Sequence, residues 1–269
     1  MAASAPGKLI LFGEHAVVFG EPALATAINL RAEVYARTHP EWRADGGSID
    51  EPRYRYVKAA IAKVKTSGPL WLEVRSMVPS GAGLGSSAAV TVATLGTLHG
   101  MGGSLDAKTI AREAFEVEHE VQGRASPIDT STASAGGCLL VLPKPQGDLL
   151  WTIERDARRW CLHRTDLPPL DFVIGNTGIS AATGPLVANV KERVEHDRTD
   201  HAIHGGGGHD PQGERQHRDR GKAWIFQQLA AGEFEIIHDF VTAGHSSFVI
   251  RHSDLGSISR LAMQPGKRR

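Results

Sequence analysis

The chain has 269 residues, enough for one large domain or two smaller ones. Hydrophobic residues make up 41% of it and charged residues 22%, an ordinary composition for a globular protein. Basic and acidic residues balance at 30 each, so the chain has no excess positive charge that would favour binding to nucleic acid or an anionic membrane. Cys138 and Cys161 are too few for a disulfide framework, so we expect buried thiols and a cytoplasmic protein.

The first third of the chain shows short apolar runs separated by turn residues. Residues 8–12 predict a short buried strand, and residues 30–37 alternate as a strand does. The polar stretch 39–52 predicts a loop, and apolar spacing over 54–65 predicts a helix. Residues 70–78 alternate again and predict a strand that leads into a glycine-rich turn.

The glycine-rich turn is the most informative stretch of the sequence. Glycines at alternate positions allow backbone conformations closed to other residues, and the two serines suit the cap and first turn of a helix over 86–98. A helix start with free N–H groups attracts anions. The stretch predicts either a phosphate cradle or a tight turn before a buried helix. Its residues are Pro79, Ser80, Gly81, Ala82, Gly83, Leu84, Gly85, Ser86 and Ser87.

The next helix carries a carboxylate on its apolar face. Ser104 or Asp106 can cap this helix, which is predicted to run to about residue 122 and to end at Gly123. Glu118 shares the face of Ala111 and the apolar residues that follow it. Its side chain either points into the protein, where the buried carboxylate needs a cation, or lies at the solvent-exposed end of this apolar face.

Two further residues suit phosphoryl chemistry. Asp129 lies in a predicted loop over 122–132, where it can accept a hydroxyl proton or serve as a turn or cap residue. Lys8 opens the first strand, where it either reaches solvent or stabilises negative charge in a site. With the glycine turn and Glu118, these residues supply the parts of a phosphoryl-transfer site. No P-loop or protein-kinase signature is present in the sequence.

The opening of the chain, Ser4-Ala5-Pro6-Gly7-Lys8-Leu9-Ile10-Leu11-Phe12-Gly13-Glu14-His15-Ala16-Val17-Val18, closely resembles that of mevalonate kinases in the GHMP kinase superfamily. The glycine turn resembles that superfamily's nucleotide loop. Glu118 and residues 122–132 resemble its metal-acid and catalytic-aspartate region in the archaeal-type form. The resemblance covers about residues 1–195.

The resemblance implies a role for each site residue. Residues 79–87 would hold the ATP phosphates, and Ser87 and Glu118 would bind Mg²⁺, which prefers oxygen ligands. Asp129 would accept the proton of the mevalonate C5 hydroxyl or orient that hydroxyl, and Lys8 would neutralise charge beside it. ATP and mevalonate would be the partners, and a homodimer is allowed. The residues shaping the acceptor site would be Glu14, His15, Ser126 and Thr183.

The implied fold is α/β (α+β), with two domains. Residues 1–165 would form an ATP-binding domain like domain 2 of ribosomal protein S5. Residues 166–269 would form a truncated or altered ferredoxin-like domain. Its predicted elements are a strand over 170–175, a helix over 185–194 and weak helical spacing from 223 onward.

The pattern breaks after about residue 195. Residues 195–222 hold five histidines and four consecutive glycines but almost no apolar side chains, which predicts a loop or disorder. The third glycine motif of the superfamily is missing from the sequence. A frameshifted or truncated reading frame and a diverged folded tail both account for this. The implied function is phosphorylation of mevalonate at C5. The alternatives are another GHMP small-molecule kinase and an inactive nucleotide-binding homologue.

Overall fold

A computed structural model of the protein describes residues 1–14, 17, 22–123, 125–167 and 174–175, with two short strands at 235–236 and 250–251. The described residues up to 167 lie in one compact unit, and the two short strands belong to a second. In the first unit, α-helices pack against one mixed β-sheet. The predicted α/β class is therefore confirmed.

One long strand organises the sheet. The strands are β1 (Ala2–Phe12), β2 (Ala23–Thr38), β3 (Arg43–Ala44), β4 (Gly47–Ser48), β5 (Leu70–Ser76), β6 (Cys138–Leu142), β7 (Leu149–Arg155) and β8 (Arg158–Thr165). The 16-residue β2 pairs antiparallel with β1, with β5 and with β6. Beyond these, β3 and β4 extend the sheet past β5, and β8 and β7 extend it past β6. Only the β3–β5 pair is parallel among the described strands.

The first strand is longer than the predicted 8–12, so the start of that prediction is wrong. β1 runs on through Pro6 and Gly7, with a register shift between Pro6 and Lys8. Among the described strands β1 pairs with β2 alone, so it is an edge strand. Proline is tolerated on an edge or at a bulge because its missing N–H leaves no second neighbour unpaired.

The polar stretch 39–52 is not simply a loop, because β3 and β4 form a small hairpin within it. The hairpin turns at Asp45, whose φ is +48°. The Asp45 carboxylate accepts hydrogen bonds from the Tyr54 hydroxyl (2.9 Å) and the Val74 N–H (2.8 Å). Asp45 and Gly46 both have positive φ, as a two-residue hairpin turn requires, so an Asp-Gly pair in the sequence was a local signal that the loop prediction did not use.

The helices of the first unit largely follow the predicted pattern. The predicted helix over 54–65 is shorter than expected, the second helix is buried around most of its surface, and the third begins and ends as predicted. Asp106 caps the third helix by accepting the Thr109 N–H at 3.0 Å, and Gly123 (φ +74°) ends it. The helices are α1 (Arg55–Ile61), α2 (Ser86–Met101), α3 (Ala107–Gln122) and α4 (Ile128–Ala135).

The structure tests only some of the predictions made for the second half of the chain. The structure pairs β6 with β8 and forms a hairpin of β7 and β8. The expected helical spacing after 223 is wrong at 235–236, where β9 (Glu235–Ile236) pairs antiparallel with β10 (Ile250–Arg251). The elements expected at 170–175 and 185–194 and the loop at 195–222 lie wholly or mostly outside the described residues. The domain boundary and the ferredoxin-like second domain remain predictions.

Within the part of the chain that the structure describes, no helix has the length and apolar character needed to cross a bilayer.

The core beneath α3 predicts a large effect of truncation. Phe115 is fully buried, and its ring packs against that of Trp160 in a T-shaped arrangement with 5.9 Å between ring centroids. We expect F115A to lower the free energy of unfolding by about 3–5 kcal/mol, because the cavity loses both burial and packing. L105A, at a leucine 66% exposed, changes it by about 0.5 kcal/mol or less. Urea unfolding measures both, and equal effects would contradict this account of the core.

Candidate active site

The glycine loop, residues 79–87, has the backbone that its sequence predicts. Gly81, Gly83 and Gly85 all have positive φ, at +72°, +74° and +70°. When residues with positive φ alternate with residues with negative φ, successive backbone N–H groups can face the same concave surface. Such a surface suits an anion. The loop then enters α2, whose N-cap is Gly85. The three positive φ values are compatible with the cradle interpretation, which stays a prediction.

The two serines after the loop do not cap the helix through their side chains. No side-chain hydrogen bond caps the N-terminus of α2. The Ser86 hydroxyl donates instead to the Val78 carbonyl at 3.2 Å, and the Ser87 hydroxyl donates to Glu118 Oε1 at 2.7 Å. The predicted capping role is therefore wrong, whereas the predicted place of the serines in the first turn of the helix is confirmed.

Lys8 is buried against the glycine loop. The residue is 3% exposed, and its ammonium donates to the Gly83 carbonyl at 2.9 Å. The same ammonium lies 3.2 Å from Asp129 Oδ1. A buried cation requires compensation, and the carboxylate and carbonyl supply it here. Of the two interpretations of Lys8 in the sequence, the inward one is confirmed.

Asp129 lies in the first turn of α4, so the predicted loop over 122–132 is wrong in its second half. Pro127 is the N-cap residue, and the helix starts directly after it. The side chain of Asp129 is 27% exposed, whereas Lys8 beside it is almost fully covered. The carboxylate can therefore reach a ligand while the ammonium behind it stays within the protein.

Glu118 points inward from α3, as one of the two sequence interpretations predicts. It is 4% exposed, and its Oε1 accepts from Ser87 and from Gln122 Nε2, at 2.7 and 3.4 Å. Both donors are neutral, and no Lys, Arg or His lies within ion-pair distance of Glu118 in the described ranges. This buried carboxylate has hydrogen bonds but no cation of its own.

The electrostatics of the site follow from burial and from three acidic groups near one ammonium. Burial, and then the charge of Asp129, raises the pKa of Glu118 to about 8, against the opposing effects of the Ser87 hydrogen bond and Lys8. Burial also raises the pKa of Asp129, which Lys8 lowers and Glu14 raises further. Added positive charge between these carboxylates would favour their ionised forms.

The remaining residues predicted from the sequence are less well defined. Glu14 is exposed but acts on Asp129 through its charge, so it belongs to the same region. Ser126 is half-buried and lies three residues before Asp129. His15 and Thr183 lie outside the described residues. Gln122 is a contact that the sequence reasoning missed, although its spacing of four residues from Glu118 on one helix was the available signal.

The residues present fit a magnesium ion better than a softer metal. Among the described residues, no group of three or more His, Cys, Asp or Glu side chains is arranged to hold a metal. The Ser87 hydroxyl and the Glu118 carboxylate offer two hard oxygen donors, and Mg²⁺ commonly takes few protein ligands beside phosphate oxygens. The buried Glu118, with neutral partners alone, is the observation that fits such a cation.

The packing of Lys8 beneath Gly85 generates a prediction. A Cβ at Gly85 would lie 2.9 Å from Lys8 Cγ, whereas a Cβ at Gly83 would meet nothing within 4 Å. The positive φ alone should cost either alanine variant about 1–2 kcal/mol of unfolding free energy. We expect G85A to lose at least about 1 kcal/mol more than G83A, because it also displaces Lys8. Urea denaturation checks this, and equal losses would argue against close packing of Lys8.

Comparison with known proteins agrees with this geometry. Residues 55–137 match the model of the GHMP kinases N-terminal domain. The mevalonate kinase of Archaeoglobus fulgidus is 38% identical over 203 residues, covering 72% of this chain and 64% of that protein. The mevalonate kinase of Methanothermobacter thermautotrophicus is 36% identical over 213 residues, covering 71% and 62%. The chain thus spans less than two thirds of the length of these relatives.

Solved structures show the same fold. A protein from Listeria innocua gives a TM-score of 0.63 at 18% identity, covering 86% of this chain and 72% of that one. The L. major mevalonate kinase solved with R-mevalonate gives 0.56 at 24% identity, covering 86% and 70%. The domain match and the archaeal relatives show that the chain contains a GHMP kinases N-terminal domain.

Proposed function

We propose that this protein is an ATP-dependent kinase that phosphorylates the C5 hydroxyl of mevalonate to give 5-phosphomevalonate. One observation carries the proposal: the Lys8 ammonium lies between the Gly83 carbonyl of the glycine loop and the Asp129 carboxylate. An anion cradle, a cation and a proton acceptor are thereby brought together. The relatives in archaea, which are named mevalonate kinases, support mevalonate as the acceptor.

The chemistry needed at such a site is mostly positioning and charge neutralisation. Phosphoryl transfer places negative charge on the oxygens of the migrating group, and fixed positive charge stabilises it. The N–H groups of the glycine loop would bind the ATP phosphates, and the Lys8 ammonium would lie beside the attacking oxygen. Because Lys8 is held on two sides by protein oxygens, its charge needs little reorganisation during the reaction.

Asp129 is the proposed proton acceptor. Its side chain is partly exposed, so a substrate hydroxyl can approach it, and the adjacent Lys8 favours its ionised form. Binding of the acceptor would place the hydroxyl against this carboxylate, which takes its proton or orients it for attack. Glu14, His15, Ser126 and Thr183 remain our proposed acceptor-binding residues.

The magnesium ion is proposed to bind at Ser87 and Glu118. Ser87 and Glu118 would hold the ion, and its positive charge would offset that of the ATP phosphates. Ser87 lies in the first turn of α2, next to the loop that would hold those phosphates, and Glu118 reaches it from α3. The Ser87–Glu118 hydrogen bond keeps both oxygens at one place before the ion arrives.

A second candidate is an inactive nucleotide-binding homologue. It is favoured by the absence from the 269 residues of the third glycine motif that the superfamily resemblance leads us to expect. The run Gly205 to Gly208 lies among histidines and lacks a preceding Thr-Gly-Ala. A third candidate is a GHMP kinase with another small-molecule acceptor.

The purified 269-residue chain, incubated with ATP, Mg²⁺ and mevalonate, separates these candidates. Phosphorus NMR identifies the product, and we expect 5-phosphomevalonate. Turnover with a different alcohol, and none with mevalonate, would indicate another acceptor. Retained ATP binding with no turnover across a panel of alcohols would overturn the proposed activity in favour of the inactive homologue.

Asp129 provides a direct test of the mechanism. We expect D129N to lower turnover at least about 100-fold, because the amide cannot accept the hydroxyl proton, while ATP affinity stays within about threefold. D156N, a matched change at a side chain 76% exposed, should leave turnover unaltered. Initial rates and calorimetric ATP binding measure both effects. Full activity in D129N would refute the assigned role.

Glu118 tests the metal assignment by binding alone. We expect E118Q to weaken Mg²⁺-dependent ATP binding about tenfold or more while leaving binding without magnesium unchanged, since only the cation uses its charge. E120Q serves as the control, because Glu120 lies two residues later on α3 and is half exposed. Isothermal titration with and without magnesium gives the comparison. Equal behaviour of the two variants would remove Glu118 from the metal site.

A further inference from the structure

We propose that Lys8 is a positioning residue that orients the peptide groups of the glycine loop, so that the N–H groups of Leu84 and Gly85 are already turned toward an anion in the free protein. This role is additional to the charge that Lys8 would supply during phosphoryl transfer. It rests on the proposed function only for the identity of the anion.

Lys8 contacts three consecutive residues of the loop with three different parts of itself. Its backbone N–H donates to the Leu84 carbonyl at 2.9 Å. Its ammonium donates to the Gly83 carbonyl, also at 2.9 Å. Its aliphatic stem occupies the space where a side chain at Gly85 would lie. Lys8 of β1 therefore fixes two successive peptide planes of the loop, and its stem fills the space next to Gly85.

The direction of the loop's N–H groups follows from the planarity of the peptide bond. In a trans peptide the C=O of one residue and the N–H of the next point in opposite directions, and no cis bond occurs in the described residues. Because the carbonyls of Gly83 and Leu84 both point to Lys8, the N–H groups of Leu84 and Gly85 point away from it. Neither of these N–H groups has an acceptor within the described part of the protein.

Burial of the ammonium supports a role in the free protein. Lys8 is 3% exposed, and its ammonium contacts the loop carbonyl and Asp129, so its partners come from the protein itself. Buried donors are satisfied because leaving them unpaired is costly, so these contacts hold the loop as well as the lysine.

The test measures amide exchange in the protein without nucleotide or metal. Two protected amides report on the loop: that of residue 8, bonded to the Leu84 carbonyl, and that of Ala89, bonded to the Gly85 carbonyl. The variant K8M/D129N is compared with D129N, so that the comparison removes the ammonium without leaving Asp129 charged and unpaired. We expect both protection factors to fall about tenfold or more in the double variant. The amide of Thr109, at the start of α3, should not change.

Unchanged protection at residues 8 and 89 in K8M/D129N would overturn the proposal, since a lysine that acts only on ligand has no effect on the free loop. If the double variant fails to fold, G85A carries the test against G83A. We expect the amide of residue 8 to be less protected in G85A than in G83A. Equal protection of this amide in the two variants would contradict the inference. Failure of the proposed kinase activity would appear as absent phosphorylation and would leave these exchange results intact.

Discussion

The site depends on one buried cation. The Lys8 ammonium is enclosed by the protein and is compensated by a carbonyl of the glycine loop and by the Asp129 carboxylate. An unpaired ammonium in this position would be costly, so β1, the loop and α4 must keep their relative positions. The geometry of the site is therefore a consequence of satisfying one charge.

The scaffold around this cation holds its partners firmly. β2 pairs with three strands and thereby fixes β1, on which Lys8 lies. α2 is buried around most of its surface, so its N-terminus cannot shift without disturbing the core. Glu118 reaches the first turn of α2 from α3, and its burial among neutral partners leaves the carboxylate suited to an added cation. Stability and proposed function thus draw on the same contacts.

Much of the fold could be predicted from the sequence because the signals are local. The alternation in β5, the Asp106 cap and the terminal Gly123 act within a few residues, and each is confirmed. The predictions that were wrong depend on distant partners. β1 begins at Ala2, before Pro6, because β2 supplies a partner strand, and β3 pairs with β5, which lies much later in the chain.

By itself, the sequence determined the types of residue in the site and the likeness of its motifs to those of GHMP kinases, because glycine spacing and acid placement are local properties. It could not decide between inward and outward positions for Lys8 and Glu118, nor place Asp129 on a helix. Tertiary structure decided these points, since burial and the compensation of charge depend on side chains far apart in the chain. The same contacts show that the glycine loop has Lys8 beneath it, which no local pattern could indicate.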